Sequence, residues 1–331
     1  MAVTLKDVAE LAGVSRSAVS RTYTEGASVS AKTREKVRRA ADDLGYSPNA
    51  LASSLTTGRT KMIGLISNNF HNPIFLQVFD LFTKNLQDRG LRPLLVNLTD
   101  ETDPQASVQM LRQYSVDGVI VASSTLPESF AEAFADANMP VVHSFGRHTD
   151  SPRVNTLGID NIEAGRLAAE TLLARGYRNV GFLGGPESAT STQDRLSGFA
   201  AALRNTAATL STSFASQYSF EAGRAEMLRL MDEPLAEAYF CGDDVLSIGV
   251  LSALQSKGLS VPQDVGIIGL NDMEMAAWDN INLTTIHNPI GRIIESSVGL
   301  VADLVQDGDL PTKARRFDCH VVDRGTLRPL P

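Results

Sequence analysis

The stretch TLKDVAELAGVSRSAVSR, residues 4–21, carries the pattern from which the architecture of the N-terminal part of the chain is predicted. Its first half has apolar side chains at helical spacing, at Leu5, Val8, Ala9 and Leu11. Thr4 and Asp7 can form a capping box at the start of this helix. Gly13 can end it, because a tight turn between crossing helices needs a residue that tolerates positive φ. The stretch therefore predicts one short helix followed by a sharp turn.

Two further helices are predicted after this turn, one capped by Ser15 and one capped by Ser30. Their apolar positions are Ala18 and Val19 in the second helix and Val37, Ala41 and Leu44 in the third. A small residue at the crossing, a glycine in the turn and an apolar residue in the second helix predict a helix-turn-helix. The second helix would then expose donors suited to base edges and phosphates, namely Arg16, Ser17, Ser20 and Arg21. The alternative is a small helical bundle with a solvated polar face.

The charge of the chain is divided unevenly along its length. The 331 residues carry a formal net charge of −8. Residues 1–60 hold nine Lys and Arg against six Asp and Glu, so this segment is positive while the rest of the chain is strongly negative. A small basic head on a large acidic body indicates an appended binding module, so the acidic total does not exclude nucleic acid as a partner.

Composition also restricts the compartment. Two cysteines, Cys241 and Cys319, cannot form a disulfide framework, which favours a reducing environment. The first ten residues, MAVTLKDVAE, are charged where a signal peptide needs an apolar core, and no apolar run reaches the roughly 18 residues of a membrane span. We therefore expect a cytoplasmic protein that neither is secreted nor enters a membrane.

Residues 46–60, YSPNALASSLTTGRT, form a connector. Pro48 stops the third helix, and Asn49 can cap a short helix over residues 50–55 that is too small to be stable alone. One interpretation is a disordered linker. The other is a segment that folds only when DNA and a second copy of the chain stabilise it.

From Met62 onward, strand-like and helical segments alternate. The helical stretches include residues 75–89, 161–175 and 246–257. The strand-like runs are MIGLIS (62–67), LRPLLVNL (91–98), VDGVIVASS (116–124), PVVHSF (140–145), NVGFLGG (179–185), STSFASQYS (211–219), EAYFCGDD (237–244) and VGIIGLND (265–272). Alternating β and α units predict doubly wound parallel sheets in an α/β fold, and the number of runs is too large for one small sheet.

Ligands of doubly wound sheets lie beyond the carboxyl ends of the strands. The polar and aromatic residues at those ends are Asn72, Phe75, Phe145, Arg147, Ser191, Arg195, Asp243 and Asn271. Carboxylates and amides suit hydroxyl groups, and an aromatic ring suits the apolar face of a sugar ring, so this set predicts a site for a small sugar or related metabolite. Taken singly, each residue has a plainer interpretation as a turn residue, a helix-surface charge or a loop cap.

The segments TLKDVAELAGVSRSAVSR, VSAKTREKV, LGYSPNALASSL and TGRTKMIGLI resemble the LacI/GalR family of bacterial transcriptional regulators. The resemblance implies an N-terminal all-α helix-turn-helix head and a two-lobed core like that of periplasmic binding proteins. It places Arg16, Ser17 and Arg21 in the major groove. It assigns contacts with the DNA backbone to Thr4, Leu5, Ser15, Ser28, Val29, Ser30 and Thr33. Residues 49–55, beginning at Asn49, would form a hinge helix with Ala52 against the minor-groove wall and Leu55 as a wedge between base steps.

The resemblance continues through HNPIF (71–75), GPESATSTQDRLSGF (185–199), CGDD (241–244), VPQDVGIIGLND (261–272) and LTTIHNP (283–289). By this match the cleft is lined by Asn72, Phe75, Arg195, Asp243 and Asn271. Three positions depart from the usual pattern. Asp243-Asp244 stands where many relatives carry Asn-Asp, Asn271 stands where many carry Asp, and PVVHSFGR (140–147) is one residue longer.

The implied domains are a helix-turn-helix domain (1–46), a hinge and linker (47–61) and an effector-binding and dimerisation core (62–331). Within the core, the first lobe would comprise about 62–157 and 289–319, and the second about 158–288 and 320–331. The chain would act as a homodimer that binds a near-palindromic double-stranded DNA operator, and it would associate with the bacterial nucleoid when bound to DNA. A small-molecule effector would control the affinity of the dimer for the operator.

Two other classes of function compete with this regulator. A solute-binding protein for transport is opposed by the basic head, and a cytosolic sugar enzyme is opposed by the motifs. No phosphate-binding glycine loop, zinc-protease motif, paired CxxC or nucleophile elbow is present, and the five histidines lack metal-ligand spacing. We therefore expect no catalysis, no metal and no cofactor. A duplex-binding assay with a metabolite panel separates the three classes.

Overall fold

The computed structural model describes residues 3–24, 26–49, 54, 58–68, 70–98, 103–308 and 310–331. The chain divides into two compact units, Met1–Lys61 and Met62–Pro331. The first unit is helical, and the second contains two six-stranded sheets with helices packed on them.

The N-terminal unit contains α1 (Leu5–Ala12), α2 (Arg16–Tyr23) and α3 (Ala31–Leu44). The Thr4–Asp7 capping box is present, and Gly13 ends α1 with a φ of 63°. A small core joins the three helices through Val8, Ala9, Val19, Val37, Ala40 and Ala41. The helix-turn-helix prediction is therefore confirmed. Leu11 is an exception to the predicted apolar stripe: its side chain is 55% exposed, so it does not belong to this core.

The predicted hinge helix falls mostly outside the described residues. Ala52 and Leu55 lie outside them, whereas Asn49 and Ser54 lie within them. The backbone N–H of Gly58 donates to the carbonyl of Ser54 at 2.8 Å. The hinge helix and its wedge stay a prediction.

The first lobe of the second unit is built on a sheet with strand order β11-β5-β4-β3-β1-β2. All its paired strands are parallel. The strands are β1 (Met62–Ser67), β2 (Arg92–Asn97), β3 (Gly118–Ala122), β4 (Val141–Ser144), β5 (Asn155–Ile159) and β11 (Ala314–Phe317). The helices are α4 (Ile74–Asp88), α5 (Pro104–Gln113), α6 (Glu128–Asp136) and α11 (Ile290–Gln306).

The second lobe is built on a sheet with order β12-β10-β9-β8-β6-β7, in which only β12 runs antiparallel to its neighbour among the described strands. Its strands are β6 (Asn179–Gly184), β7 (Thr209–Phe214), β8 (Ala238–Cys241), β9 (Gly266–Asn271), β10 (Thr285–His287) and β12 (His320–Val322). Its helices are α7 (Asn161–Ala174), α8 (Thr190–Leu203), α9 (Phe220–Leu230) and α10 (Asp244–Ser256), with a short 3-10 helix at Glu274–Ala277. Two parallel sheets with helices on both faces confirm the predicted α/β architecture.

The chain passes between the two sheets three times. It leaves the first sheet after β5, returns to it between β10 and α11, and leaves it again between β11 and β12. The sequence predicted a strand over STSFASQYS (211–219), but β7 stops at Phe214. Residues 215–219 form a loop instead. This loop and the other strand ends face the space between the lobes.

Two glycines allow α7 and α8 to pack unusually closely. A Cβ atom on Gly198 would lie 1.8 Å from the carbonyl oxygen of Ile162, and one on Gly165 would lie 2.0 Å from that of Arg195. Any side chain at either position would overlap the backbone of the other helix. This contact fixes the position of α8, the helix that carries Arg195.

Among the residues that the structure describes, no helix is long and apolar enough to cross a membrane. No group of three or more His, Cys, Asp or Glu residues there could hold a metal ion.

Candidate functional site

A pocket lies between the lobes at the carboxyl ends of the strands, and we call it the cleft pocket. It contains about 570 Å³ of space between protein atoms, including the part that opens to solvent. The residues that line it are Asn72, Ile74, Phe75, Val78, Ser124, Phe145, Ile159, Asn161, Arg195, Tyr218, Asp243, Asn271, Asn288 and Ile290.

Asp243 is the hydrogen-bonding centre of the cleft pocket. It follows β8 and caps α10, with Oδ1 accepting from the backbone N–H of Val245 at 2.9 Å. Its Oδ2 accepts from Nδ2 of Asn72 at 3.0 Å and from Nδ2 of Asn271 at 2.8 Å. The residue is 4% exposed, and burial raises the pKa of its carboxyl to about 6 despite these donors.

One more amide, Asn288, extends this network through Asn271. Asn271, at the end of β9, has a φ of 122°, in the region that favours glycine. Its Oδ1 accepts from Nδ2 of Asn288 at 3.1 Å. Oδ1 of Asn288 is buried and has no hydrogen-bond partner within the described parts of the chain. A buried acceptor without a partner has an energetic cost that a ligand N–H or O–H would remove.

Arg195 is the basic residue of the cleft pocket, and it is buried. Its Nε donates to Oδ1 of Asn161 at 2.8 Å, and its Nη1 donates to the carbonyl of Gly242. These bonds hold the guanidinium beside the loop that carries Asp243. One acidic and one basic side chain therefore face each other in the described lining, which makes the pocket nearly neutral overall.

Apolar side chains form the remaining walls. Phe75 lies at the start of α4, with its ring centre 5.7 Å from that of Phe79. Phe145 follows β4 with a φ of 67°, and its N–H donates to the carbonyl of Leu157 at 2.6 Å. Aromatic and aliphatic walls around a few fixed polar groups are typical of small-molecule pockets.

In the N-terminal unit, α2 presents its polar side chains to solvent. Arg16, Ser17, Ser20 and Arg21 are exposed. Ser15 Oγ accepts from the N–H of Ala18 at 3.2 Å, and Ser30 Oγ accepts from the N–H of Thr33 at 3.1 Å, so both serines cap helices. Thr4 and Ser28 are exposed, and Leu5, Val29 and Thr33 are half-buried.

Two family models match the chain. Residues 4–49 match the bacterial regulatory proteins of the lacI family, and residues 169–327 match a periplasmic binding protein-like domain. The chain is also similar over nearly its whole length to the HTH-type transcriptional repressor PurR of Vibrio atlanticus, with 30% identity over 335 residues that cover 99% of each chain. The PurR repressor of Yersinia enterocolitica is 34% identical over 313 residues, covering 91% of this chain and 90% of its own.

The chain belongs to the lacI family of bacterial regulatory proteins. It is a DNA-binding transcriptional repressor of the LacI and PurR type, and its relatives are repressors rather than enzymes. The resemblance inferred from the sequence is thus confirmed, and the transport and enzyme alternatives are excluded.

Solved structures agree with this assignment. A lac repressor dimer bound to operator and an anti-inducer superposes with a TM-score of 0.88 at 26% identity, covering 98% of this chain and 99% of the other. A complex of the transcriptional regulator CelR with cellobiose gives a TM-score of 0.73 at 27% identity, again covering 98% and 99%.

Of the eight effector-site residues predicted for this LacI-family chain, six line one pocket: Asn72, Phe75, Phe145, Arg195, Asp243 and Asn271. Arg147 and Ser191 do not line it. The Arg147 guanidinium makes two hydrogen bonds to the Asp194 carboxylate, at 2.9 and 2.7 Å, and a third to the carbonyl of Thr190 at 3.1 Å. The loop after β4 therefore carries Arg147 to the second lobe, outside the pocket.

Ser191 is held beside the pocket by its neighbours. Its hydroxyl lies 3.3 Å from that of Tyr218, and its N–H donates to the carbonyl of Ser124 at 3.2 Å. The residues of the pocket that sequence reasoning missed include Asn161, Tyr218 and Asn288. Tyr218 and Asn288 fall within segments quoted above, STSFASQYS and LTTIHNP, but nothing in either segment distinguished them.

The second acid of the Asp243-Asp244 pair has a different role. Asp244 accepts from the hydroxyl of Thr285 at 2.5 Å and from the N–H of Met273 at 2.8 Å. It is fully buried and does not line the cleft pocket, and burial raises the pKa of its carboxyl to about 7. Asp244 thus connects α10 to β10 and to the loop after β9, while Asp243 alone faces the pocket.

Proposed function

We propose that this LacI-family repressor is an effector-controlled homodimer that binds a near-palindromic operator in the cytoplasm and takes a small neutral sugar, or a sugar derivative, between its lobes. The observation that carries the ligand class is the Asp243 network. One buried carboxylate and three amides provide both acceptors and donors in a pocket with aromatic and aliphatic walls. Vicinal hydroxyls both donate and accept, so they match this set.

The charge of the pocket argues against strongly charged effectors. Arg195, the cation of the described lining, already donates to Asn161 and to the backbone of Gly242. A phosphate or carboxylate ligand would face Asp243 and would have no other cation within the described lining to balance its charge. The related regulators of known structure, one in complex with cellobiose and one with an anti-inducer, support a small-molecule effector for this chain.

The proposed allosteric control depends on contacts that cross the cleft. Asn72 of the first lobe donates to Asp243 of the second. Arg147 of the first lobe likewise pairs with Asp194 of the second. A ligand that competes for Asp243 would change the balance between closed and open lobes and so change operator affinity. A coupling free energy of about 1–3 kcal/mol corresponds to a change of roughly 5–150-fold. Whether the effector raises or lowers operator affinity depends on which arrangement of the lobes binds the operator.

Large apolar side chains are exposed on both lobes of the core, where a second copy of the chain could cover them. Leu76 is 79% exposed on α4, Leu95 and Trp278 are each 49% exposed, and Phe220 is exposed at the start of α9. A second copy would bury such side chains, and a two-fold dimer would place two α2 helices in successive major grooves. In this proposal the functional division is 1–46 for the head, 47–61 for the hinge, with Leu55 as the wedge, and 62–331 for the core.

The experiment that tests this proposal is selection of bound duplexes from a random library at fixed salt, repeated with a panel of neutral sugars. We expect enrichment of a near-palindrome and a change in its occupancy with at least one sugar. Arg195→Ala should abolish the sugar response and leave the enriched operator unchanged. An enriched operator whose occupancy responds to no sugar would refute the ligand class, and enrichment of a single, non-symmetric site would refute the dimer.

A further inference from the structure

A second and larger chamber lies next to the cleft pocket. It is bounded by described residues at the carboxyl ends of β1, β2 and β3 in the first lobe and of β6 and β7 in the second. Since β2 and β7 are edge strands at the sheet ends opposite β11 and β12, this chamber lies on the side of the cleft away from the chain crossings. It holds about 1490 Å³ of space between protein atoms, including its solvent-open part. We call it the edge chamber.

The edge chamber and the cleft pocket adjoin each other. Tyr218 lines both, and the neighbours Ser124 and Thr125 each line one. Between them, the carbonyl of Ser124 accepts from the hydroxyl of Thr190 at 3.1 Å and from the N–H of Ser191 at 3.2 Å. At this point donors of the second lobe occupy an acceptor of the first lobe that ligand hydroxyls could also use.

The lining of the edge chamber is polar, and His71 is the one described lining residue whose side chain can carry a positive charge. Its described residues include amides and hydroxyls but no Lys, Arg, Asp or Glu. Asn97, Ser188, Ser216 and Gln217 are exposed in it. Asn68 is fixed by bonds to Thr125 and Ser123, so that part of the wall is preformed. The rings of Phe70 and Tyr218 supply apolar faces.

From this arrangement we infer that the edge chamber is a second subsite, which takes the second ring of a neutral disaccharide or glycoside whose first ring occupies the cleft pocket. The inference rests on the proposed function and narrows its ligand class. Amides and hydroxyls beside aromatic rings suit a sugar ring, and apart from the imidazole of His71 the described lining offers no counter-charge for a phosphate. The glycosidic link between the rings would pass Ser124 and Tyr218, and ring hydroxyls next to the link would replace the bonds that Thr190 and Ser191 now donate to Ser124.

The test compares two serine substitutions in the full chain. Ser216→Trp fills the edge chamber from an exposed position, and Ser211→Trp places the same side chain at an exposed position of β7 that does not line it. Binding is measured by isothermal titration calorimetry with D-glucose, D-galactose, D-xylose and D-ribose, and with cellobiose, maltose, lactose, melibiose and xylobiose.

We expect at least one disaccharide to bind at least about tenfold more tightly than its constituent monosaccharides. Ser216→Trp should remove that advantage and leave monosaccharide affinity unchanged, and Ser211→Trp should change neither. Monosaccharides that bind as tightly as their disaccharides, or a Ser216→Trp variant that weakens both classes equally or neither, would overturn the second subsite and leave the proposed function standing. Absence of binding by every sugar in the panel would overturn both.

Discussion

The side-chain amide of Asn72, in the first lobe, donates a hydrogen bond of 3.0 Å to the carboxylate of Asp243, in the second lobe. Both residues are buried, and both line the cleft pocket. The bond therefore joins the two lobes at the place where the proposed effector would sit. A ligand hydroxyl that binds Asp243 competes with Asn72, so ligand binding and lobe closure act on the same atoms.

Replacing Asn72 by alanine should shift the core toward an open arrangement. The change removes one donor to a buried carboxylate, and a hydrogen bond to a charged group contributes about 1.5–3 kcal/mol. We expect a larger radius of gyration in small-angle X-ray scattering and a lower melting temperature. Asn85→Ala is the matched control, because Asn85 lies on α4, the helix that follows Asn72, and its side-chain amide donates to the carbonyl of Leu81 within its own turn. Identical scattering from the two variants would show that Asn72 does not hold the lobes together.

The Arg147–Asp194 pair should act as a weaker, salt-sensitive clasp between the lobes. The two side chains are 33% and 17% exposed, so their contribution is expected at about 1 kcal/mol or below. Arg147→Ala should open the core slightly at low salt and have no effect at high salt, as measured by hydrogen exchange in α8. Arg153→Ala removes an ion pair within the first lobe and is the control. Exchange in α8 that rises equally in both variants would contradict the clasp.

Sequence patterns predicted the elements whose signals are local. Thr4, Gly13 and Ser15 mark helix ends through bonds to residues at most five positions away, and the structure confirms the two helices, α1 and α2, that they delimit. The prediction that Leu11 belongs to the apolar stripe of α1 was wrong, because apolar spacing alone does not show which side of an eight-residue helix packs against another helix. The long apolar runs at β1, β3 and β9 were predicted because buried parallel strands are apolar throughout.

The pocket residues that the sequence did not predict come directly after strands that it also did not predict. β5 (NTLGI), β10 (TIH), β11 (ARRF) and β12 (HVV) are short, and β11 is largely exposed, so none has an apolar run that predicts a strand. Their place in the sheets depends on where the chain crosses between lobes, which is long-range information. Asn161 follows β5 and Asn288 follows β10. Because these two strands were not predicted, the two asparagines were not predicted to line the cleft pocket.

Close packing of α7 on α8 should make Gly198 intolerant of a methyl group. A Cβ there would lie 1.8 Å from the carbonyl oxygen of Ile162, so Gly198→Ala must separate the helices, at a cost of about 1–3 kcal/mol or more. Gly291→Ala, in α11, is the control, because nothing lies within 4 Å of its Cβ and alanine favours a helix. We expect a lower melting temperature for the first variant and an unchanged or higher one for the second. Equal melting temperatures would refute the contact.

The exposed arginines of α2 should determine operator binding. Arg16→Ala should cost about 1–3 kcal/mol of discrimination at one operator base pair if its guanidinium reads a base, with little change in binding to random duplex. Arg39→Ala is the comparison, since Arg39 is exposed on α3 and lies 3.9 Å from Glu35. Fluorescence anisotropy with the selected operator and with single-base variants measures the difference. A uniform loss across all duplexes would instead assign Arg16 to phosphate contact.

Exchange of the acid and the amide at positions 243 and 271 tests the chemistry of the pocket. Burial holds the pKa of Asp243 at about 6, above the roughly 3.9 of an unfolded chain. The folded protein therefore binds this proton more tightly, and the stability that the group contributes is full below about pH 4 and lost as pH rises through 6. Asp243→Asn should remove that part of the slope in denaturant unfolding measured from pH 4.5 to 8. Loss of the Asp243 charge also lowers the pKa of the neighbouring Asp244 carboxyl, which reduces the slope further.

Asn271→Asp alone should have the opposite effect. It places a second carboxylate where Nδ2 now lies 2.8 Å from Asp243, so one of the pair must take up a proton, and the loss of stability should grow as pH rises. In the double variant Asp243→Asn/Asn271→Asp the pocket again holds one acid among amides, so stability at pH 7.5 should exceed the sum of the two single effects by about 1 kcal/mol or more. If the two substitutions are additive, the carboxylate and the amide do not interact, and the hydrogen-bonded centre described for the cleft pocket is wrong.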